Sequence, residues 1–178
     1  DSVNIRKQQM DTRGSDISFI IDQLEKLQNG SIKSTLNGKL DLQKIAVAGH
    51  SYGGSTATVA AHKDERIKAC AVLDSWISPV PEPIISAGIH VPFLFMGRPT
   101  WEGSDYPGNY PRLDSLMTHS SEPKYRLVIK KTLHQDYTDI PLFSPIIGYV
   151  MQVGDLSPAI SLTLINRLTH GFLDRHLL

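Results

Sequence analysis

The chain has 178 residues, of which 40% are hydrophobic and 20% are charged, and its 18 basic residues balance 18 acidic ones. This composition indicates one globular domain with a sizeable core, and a neutral chain has no long-range attraction to nucleic acid. The single cysteine, Cys70, excludes an internal disulfide framework and a Cys-based zinc site. The longest mainly apolar stretch, Ile140 to Val153, is too short and interrupted for a transmembrane segment.

The predicted elements alternate between helix and strand. Apolar residues at three- and four-residue spacing predict a helix over Ser15 to Gln28, with Ser15 as its cap and Asn29-Gly30 at its end. The apolar run Lys44 to Gly49 is typical of a strand buried on both faces of a parallel sheet. The next predicted helix, at 53–62, is rich in small residues. Three further strands are predicted at 68–74, 91–97 and 125–130, and a last helix begins at Ser157-Pro158.

The stretch from Arg98 to Lys124 is predicted to be a long loop without secondary structure. Long loops of this kind are often lids or binding loops, and its aromatic residues Trp101, Tyr106 and Tyr110 would suit a substrate rim. We interpret Arg98 as a partner in a surface salt bridge rather than as a ligand for phosphate or carboxylate.

Alternating strands and helices predict a mostly parallel sheet flanked by helices, in which ligands bind beyond the carboxyl ends of the strands. Directly after the first predicted strand, Gly49-His50-Ser51-Tyr52-Gly53 fits the pattern G-x-S-x-G. A serine on such a sharp strand-to-helix turn is held in a strained backbone conformation with its hydroxyl raised above the sheet. We therefore expect Ser51 to be a nucleophile, Gly49 and Gly53 to relieve crowding at the turn, and the N–H of Tyr52 to stabilise an oxyanion.

A serine nucleophile needs a base, which is normally a histidine oriented by a carboxylate. Of the seven histidines, His134 is the one that follows a sheet strand in the chain order serine, acid, histidine, whereas His50 is expected to point away from the serine. Asp74 is the favoured acid because it ends the strand after the elbow helix. Glu102 and Asp105 remain alternatives, since many hydrolases of this fold place the acid one strand later.

These motifs together resemble the plasma-type platelet-activating-factor acetylhydrolases and their microbial relatives. The resemblance rests on GHSYGG, AVLDSW and LHQDYTD, and it extends to TRGSDISFIIDQL, PLFSPIIGYV and LTLINRLTHGFLDRHL. It implies an α/β-hydrolase with Ser51, Asp74 and His134 as the catalytic triad. The implied reaction is calcium-independent hydrolysis of short or oxidised sn-2 acyl esters of phospholipids, as in a 1-alkyl-2-acetylglycerophosphocholine esterase.

The family's sheet has roughly twice the number of strands predicted here. Residues 1–178 are therefore expected to be a single catalytic domain that forms the C-terminal part of a larger enzyme, whose N-terminal part supplies the missing strands and a second oxyanion donor. No metal or other cofactor is expected. The resemblance favours a secreted over a cytoplasmic protein, although the sequence alone leaves the compartment open.

Two apolar segments flank the predicted site, one with Trp76, Ile77, Pro79 and Val80 and the other from Ile140 to Val150. Each segment has two possible roles: it is ordinary core, or it forms an acyl pocket or a surface that contacts lipid. Trp76 and Trp101 are the candidate substrate-binding residues. Two other functions remain open: a serine peptidase of the prolyl-oligopeptidase type, which places its acid later in the chain, and a non-catalytic binding domain on the same fold.

Overall fold

The computed structural model of the chain describes residues 2–101, 108–121, 123–144 and 146–178. Helices alternate with the strands of one four-stranded sheet, as the sequence predicts. Two short 3₁₀ helices lie at His134–Tyr137 and Ile147–Tyr149. The other elements are α1 (Ser2–Gln28), β1 (Ile45–His50), α2 (Tyr52–Lys63), β2 (Ile67–Leu73), α3 (Glu82–Ala87), β3 (Phe93–Gly97), α4 (Asn109–His119), β4 (Lys124–Val128), α5 (Ile140–Phe143) and α6 (Pro158–Leu177).

The four strands are parallel and lie in the order β1-β2-β3-β4, so each strand pairs with its neighbour in sequence. In register, His50 is opposite Leu73, and Leu73 is opposite Met96. The carboxyl ends of the strands therefore meet at one edge of the sheet. The segments that follow each strand are brought together there, which is where parallel sheets build their ligand sites.

The sheet has a core on each face, because side chains alternate along a strand. On one face, Cys70, Val72, Phe93 and Phe95 pack in a cluster that also contains buried residues of α1, α2, α3 and α4. On the other face, Ala71, Leu94 and Met96 pack with the buried apolar residues of α6, which are Ile165 and Phe172. Helices thus cover both faces of β2 and β3.

β1 departs from the prediction of a strand buried on both faces. Val47 is buried among the helices of the first face, but Ala48, which points the other way, is exposed. The reason is that α6 lies mainly over β2, whereas β1 reaches the cluster that contains α6 through the partly buried Ala46. The prediction holds for β3, whose five residues are all buried.

α1 is longer than predicted, because it begins at Ser2 rather than at Ser15. Ser15 is not a cap; it lies inside the helix, and its hydroxyl donates a hydrogen bond to the carbonyl of Asp11. Gly14 allows α1 to approach α2, since a Cβ there would lie 2.8 Å from Cγ1 of Val59. The predicted end is confirmed, with Gly30 in the left-handed region at φ 81°.

The predicted loop from Arg98 to Lys124 is wrong, because α4 occupies Asn109–His119. Pro111 is the third residue of this helix, where a missing N–H costs no helical hydrogen bond. The short α3, which also has a proline in its first turn, was not predicted either. No helix within the described ranges is both long and apolar enough to cross a membrane.

Candidate active site

The carboxyl edge of the sheet brings Ser51, Asp74 and His134 together from the ends of β1, β2 and β4. Nε2 of His134 lies 2.9 Å from Oγ of Ser51, and Nδ1 of His134 lies 2.6 Å from Oδ2 of Asp74. With the imidazole proton on Nδ1 directed at the carboxylate, Nε2 is left to accept the proton of the serine hydroxyl. The three side chains form one continuous line of hydrogen bonds.

Ser51 lies in the strained turn that the sequence predicts, with φ 56° and ψ −122°. Its N–H donates to the carbonyl of Leu73 at 3.0 Å, and its carbonyl accepts from the N–H of Trp76 at 3.1 Å. β2 and the segment that follows it therefore fix both sides of the turn. Such a conformation persists only where the surroundings determine it, and it is common at reactive residues.

Of the two glycines expected to relieve crowding at this turn, the structure supports Gly49 but not Gly53. Gly49 is required, because a Cβ there would lie 2.3 Å from the carbonyl oxygen of Gly53. Gly53 itself has open space where its Cβ would be, so the prediction that a side chain at this position would collide is wrong. The second crowded position is Gly54, where a Cβ would lie 2.6 Å from Cβ of Ser75.

Tyr52 is the first residue of α2, and the N–H groups of a first helical turn have no partner within their own helix. Its backbone N–H is adjacent to Ser51, where an oxyanion donor is expected. Its side chain is turned outward, and the phenol donates to the carbonyl of Arg6 at 2.8 Å. The guanidinium of Arg13 lies 4.9 Å from the ring centroid.

Asp74 is fully buried and lies in the left-handed region, with φ 39°. Its Oδ1 accepts hydrogen bonds from the backbone N–H of Arg98 and from the indole N–H of Trp101, each at 3.0 Å. Nε of Arg98 lies 3.3 Å from Oδ2. The prediction that Arg98 forms a surface salt bridge is wrong, since Arg98 is 8% exposed and faces the buried carboxylate.

Arg98 and Trp101 also contact each other, and Trp101 contacts His134. The guanidinium carbon of Arg98 lies 4.2 Å from the centroid of the Trp101 ring, and that ring meets His134 edge-on at 5.3 Å. Trp101 therefore lies against the line of three side chains. The alternative acids Glu102 and Asp105, together with Tyr106, lie outside the described residues.

His50 contacts His134 in a way that the sequence did not predict. Its ring is centred 4.5 Å from that of His134, and its Nε2 lies 3.1 Å from the backbone carbonyl of His134. Burial, followed by the charge of His134, lowers the pKa of His50 to about 4. A neutral imidazole at neutral pH therefore packs beside the base.

A second buried carboxylate, Asp136, holds the loop that carries His134. Its Oδ2 accepts from the N–H groups of Leu133 and Gly154, each at 2.7 Å. Gly154 approaches so closely that a Cβ would lie 2.2 Å from the carbonyl oxygen of Lys131. No pattern in the sequence indicates these contacts beyond the position of Asp136, two residues after His134.

The apolar segment after Asp74 is part of the core. Ile77 and Val80 are fully buried, and Trp76 is 9% exposed. Asn109, at the start of α4, fixes this segment: its Oδ1 accepts from the N–H of Ile77 at 2.6 Å, and its Nδ2 donates to the carbonyl of Ser75 at 3.1 Å. Of the two roles considered for this segment, its burial agrees with ordinary core.

The segment after His134 differs, because it carries a group of exposed large apolar side chains. We call these residues the apolar surface segment: Leu142, Phe143, Ile146, Tyr149 and Val150, which are 56%, 77%, 63%, 90% and 79% exposed. Among the residues that the structure describes, no group of three or more His, Cys, Asp or Glu side chains is arranged to hold a metal ion.

Comparison with known proteins gives a consistent result. The family "Platelet-activating factor acetylhydrolase, isoform II" matches residues 1–178. A platelet-activating factor acetylhydrolase of Canis lupus familiaris is 27% identical over 99% of the chain, and one of Bos taurus is 32% identical over 80%. The chain covers 41% and 31% of these two proteins, so it spans less than half their length.

A solved structure is similar over almost the whole chain. The ferulic acid esterase of Streptomyces cinnamoneus aligns with a TM-score of 0.76 and 25% identity, over 97% of this chain and 49% of that one. With the parallel sheet and its flanking helices, this similarity confirms the prediction of an α/β-hydrolase fold.

Proposed function

Because the chain belongs to the family of platelet-activating factor acetylhydrolase, isoform II, we propose that it carries the nucleophile, base and acid of a serine ester hydrolase. The observation that supports this proposal is the hydrogen-bonded line from Ser51 through His134 to Asp74, at 2.9 and 2.6 Å. A hydroxyl, an imidazole and a buried carboxylate in this order are the arrangement that makes a serine nucleophilic.

In the proposed reaction, His134 takes the proton of Ser51 as Oγ attacks the acyl carbonyl carbon. The negative charge that develops on the carbonyl oxygen is stabilised by the N–H of Tyr52 and by a second donor from the rest of the enzyme. His134 then gives its proton to the departing alcohol, which leaves an acyl group on Ser51. A water molecule, deprotonated by His134, releases the acid and restores the serine.

The substrates that we propose are short or oxidised acyl esters, including the sn-2 acyl group of phospholipids, without a requirement for calcium. Two findings support this class: the curated relatives are named platelet-activating factor acetylhydrolase, and the apolar surface segment lies in the stretch of chain that follows the 3₁₀ helix of His134. Exposed apolar side chains of this extent suit contact with a lipid surface from which a phospholipid is drawn.

The test is covalent labelling of the full-length protein with a fluorophosphonate, followed by hydrolysis of para-nitrophenyl esters of increasing chain length and of a phospholipid with an sn-2 acetyl group. We expect one label per molecule on Ser51 and faster turnover of short than of long acyl chains. Ser51→Ala should abolish both labelling and turnover, whereas Ser31→Ala, at an exposed loop position, should change neither. Absence of label in the unmodified protein would overturn the proposal.

A further inference from the structure

The segment that follows β3 contacts Asp74 with two N–H groups and one cation. The N–H groups of the Arg98 backbone and the Trp101 indole donate to Oδ1. The guanidinium of Arg98 forms an ion pair with Oδ2, with Nε at 3.3 Å but without a hydrogen bond from Nε within the described residues. Many hydrolases of this fold carry the acid itself after this strand. Here the acid lies one strand earlier, and a cationic side chain and an indole follow β3 instead.

These contacts leave Asp74 with one orientation. The two donors at Oδ1, each at 3.0 Å, prevent the carboxylate from rotating, so that Oδ2 faces Nδ1 of His134 at 2.6 Å. The charge of Asp74 is fully buried, and a buried carboxylate is costly unless an opposite charge lies near it. The guanidinium of Arg98, with a side chain that is 10% exposed, supplies that charge.

Arg98 and Trp101 are themselves held in place. The guanidinium stacks on the indole at 4.2 Å, an arrangement that is favourable for a desolvated cation. The hydroxyl of Tyr110 donates to the carbonyl of Arg98. The Trp101 ring also meets His134 edge-on, so that one pair of side chains contacts both the acid and the base.

We propose that Arg98 and Trp101 are positioning residues that act through Asp74: they fix the carboxylate toward His134 and compensate its buried charge. This inference rests on the proposed esterase reaction. Neither residue needs to touch the substrate. Their effect should therefore fall on the rate of the chemical step and leave binding of the ester almost unchanged.

The experiment compares Arg98→Met, Arg98→Lys and Trp101→Phe in the full-length protein, with the active enzyme counted by fluorophosphonate titration. Arg98→Met removes the charge at similar length, and we expect kcat to fall about 10- to 100-fold with KM within about 3-fold. Arg98→Lys should recover much of the loss. Trp101→Phe, which keeps a ring but removes the N–H, should lower kcat by about 3- to 10-fold.

Proton NMR of the same variants gives a readout that does not depend on turnover. The strongly deshielded Nδ1 proton between His134 and Asp74 should give one sharp signal in the unmodified protein, and the signal should shift or broaden in Arg98→Met and Trp101→Phe. The matched control is Arg112→Met, because Arg112 pairs with Glu82 at 2.7 Å outside the site. We expect this control to change neither kcat nor the proton signal.

The outcomes separate the two proposals. If Arg98→Met keeps the kcat and the proton signal of the unmodified protein, the positioning role is wrong. If Arg98→Met lowers only the thermal unfolding temperature, while each titrated site turns over normally, the role is structural and the inference is again overturned. If the unmodified protein neither labels nor hydrolyses esters, the proposed function fails, and the proton signal alone then decides whether Arg98 positions Asp74.

Discussion

Two buried carboxylates lie at the same edge of the sheet, and their surroundings differ. Asp74, after β2, faces a guanidinium, an imidazole, an indole N–H and a backbone N–H. Asp136, in the loop after β4, accepts from two backbone N–H groups, and its Oδ1 has no hydrogen-bond partner within the described residues. Both are fully buried.

Burial alone therefore does not distinguish the two carboxylates, whereas their partners do. Asp74 is bonded to a group that can gain and lose a proton, and a cation compensates its charge. Asp136 bonds to amides that cannot take part in proton transfer under ordinary conditions. We therefore propose that Asp74 takes part in the chemistry and that Asp136 shapes the His134 loop. The first two predictions below test this division, and the third concerns His50, which packs beside His134.

The largest effect is expected for Asp74→Asn. The amide cannot hold the Nδ1 proton of His134 as a carboxylate does, so the imidazole loses its orientation and its charge partner, and kcat/KM should fall by about 10³- to 10⁴-fold. Steady-state hydrolysis of a short para-nitrophenyl ester measures this loss. The matched variant is Asp136→Asn, whose kcat/KM we expect to stay within about 3-fold of the value for the unmodified protein. Retention of more than a tenth of the activity in Asp74→Asn would place the acid elsewhere.

The next effect concerns stability and should appear at Asp136. In Asp136→Ala the N–H groups of Leu133 and Gly154 lose their buried acceptor, so the free energy of unfolding should fall by about 1–3 kcal/mol. Asp136→Asn keeps one carbonyl oxygen for both N–H groups and should remain within about 1 kcal/mol of the unmodified protein. Urea unfolding measures both values, and equal losses in the two variants would contradict this account.

The smallest effect is the pH dependence that His50 adds beside His134. Because the pKa of His50 is lowered to about 4 in the folded protein, the unfolded chain binds more protons between the ordinary value near 6.5 and about 4. Stability from this group is therefore complete above about pH 6.5 and is lost as the pH falls toward 4. After allowance for solvent screening, the loss is on the order of 1–2 kcal/mol.

His50→Gln should remove that pH-dependent part of the stability while it keeps an N–H donor near the carbonyl of His134. Urea unfolding at pH 7 and pH 5 measures the change, and His170→Gln, at an exposed position on α6, is the control. An unchanged difference between the two pH values in His50→Gln would show that the folded environment does not disfavour the charged imidazole.

Local signals explain what the sequence predicted correctly. Short apolar runs predict the four strands. Ser51 and Asp74 each come directly after a strand, which predicts that both lie at the carboxyl edge of the sheet. The turn at Ser51 was recognisable because its strain requires small neighbours at fixed spacing. Signals of this kind depend on a few adjacent residues, so they can be recognised in one sequence without knowledge of distant contacts.

The errors and omissions depend on packing between distant segments. The pattern G-x-S-x-G predicts crowding at Gly53, because its spacing does not reveal that Ser75 lies against the turn at Gly54. Arg98 was placed at the surface because its partner lies 24 residues away, on the neighbouring strand end. The sequence does not indicate α4, because the segment from Arg98 to Lys124 contains prolines, and a proline is typical of a break unless it lies in the first turn of a helix.

The order of the strands has a consequence for how the protein is made. His134 follows Ser51 by 83 residues, and its loop cannot dock until β4 has joined the sheet. A ribosome therefore delivers the hydroxyl well before the imidazole that activates it in the proposed reaction, and domains assemble as they emerge. During synthesis the unfinished polypeptide carries a serine without a base, and its reactivity begins only when the last strand is in place.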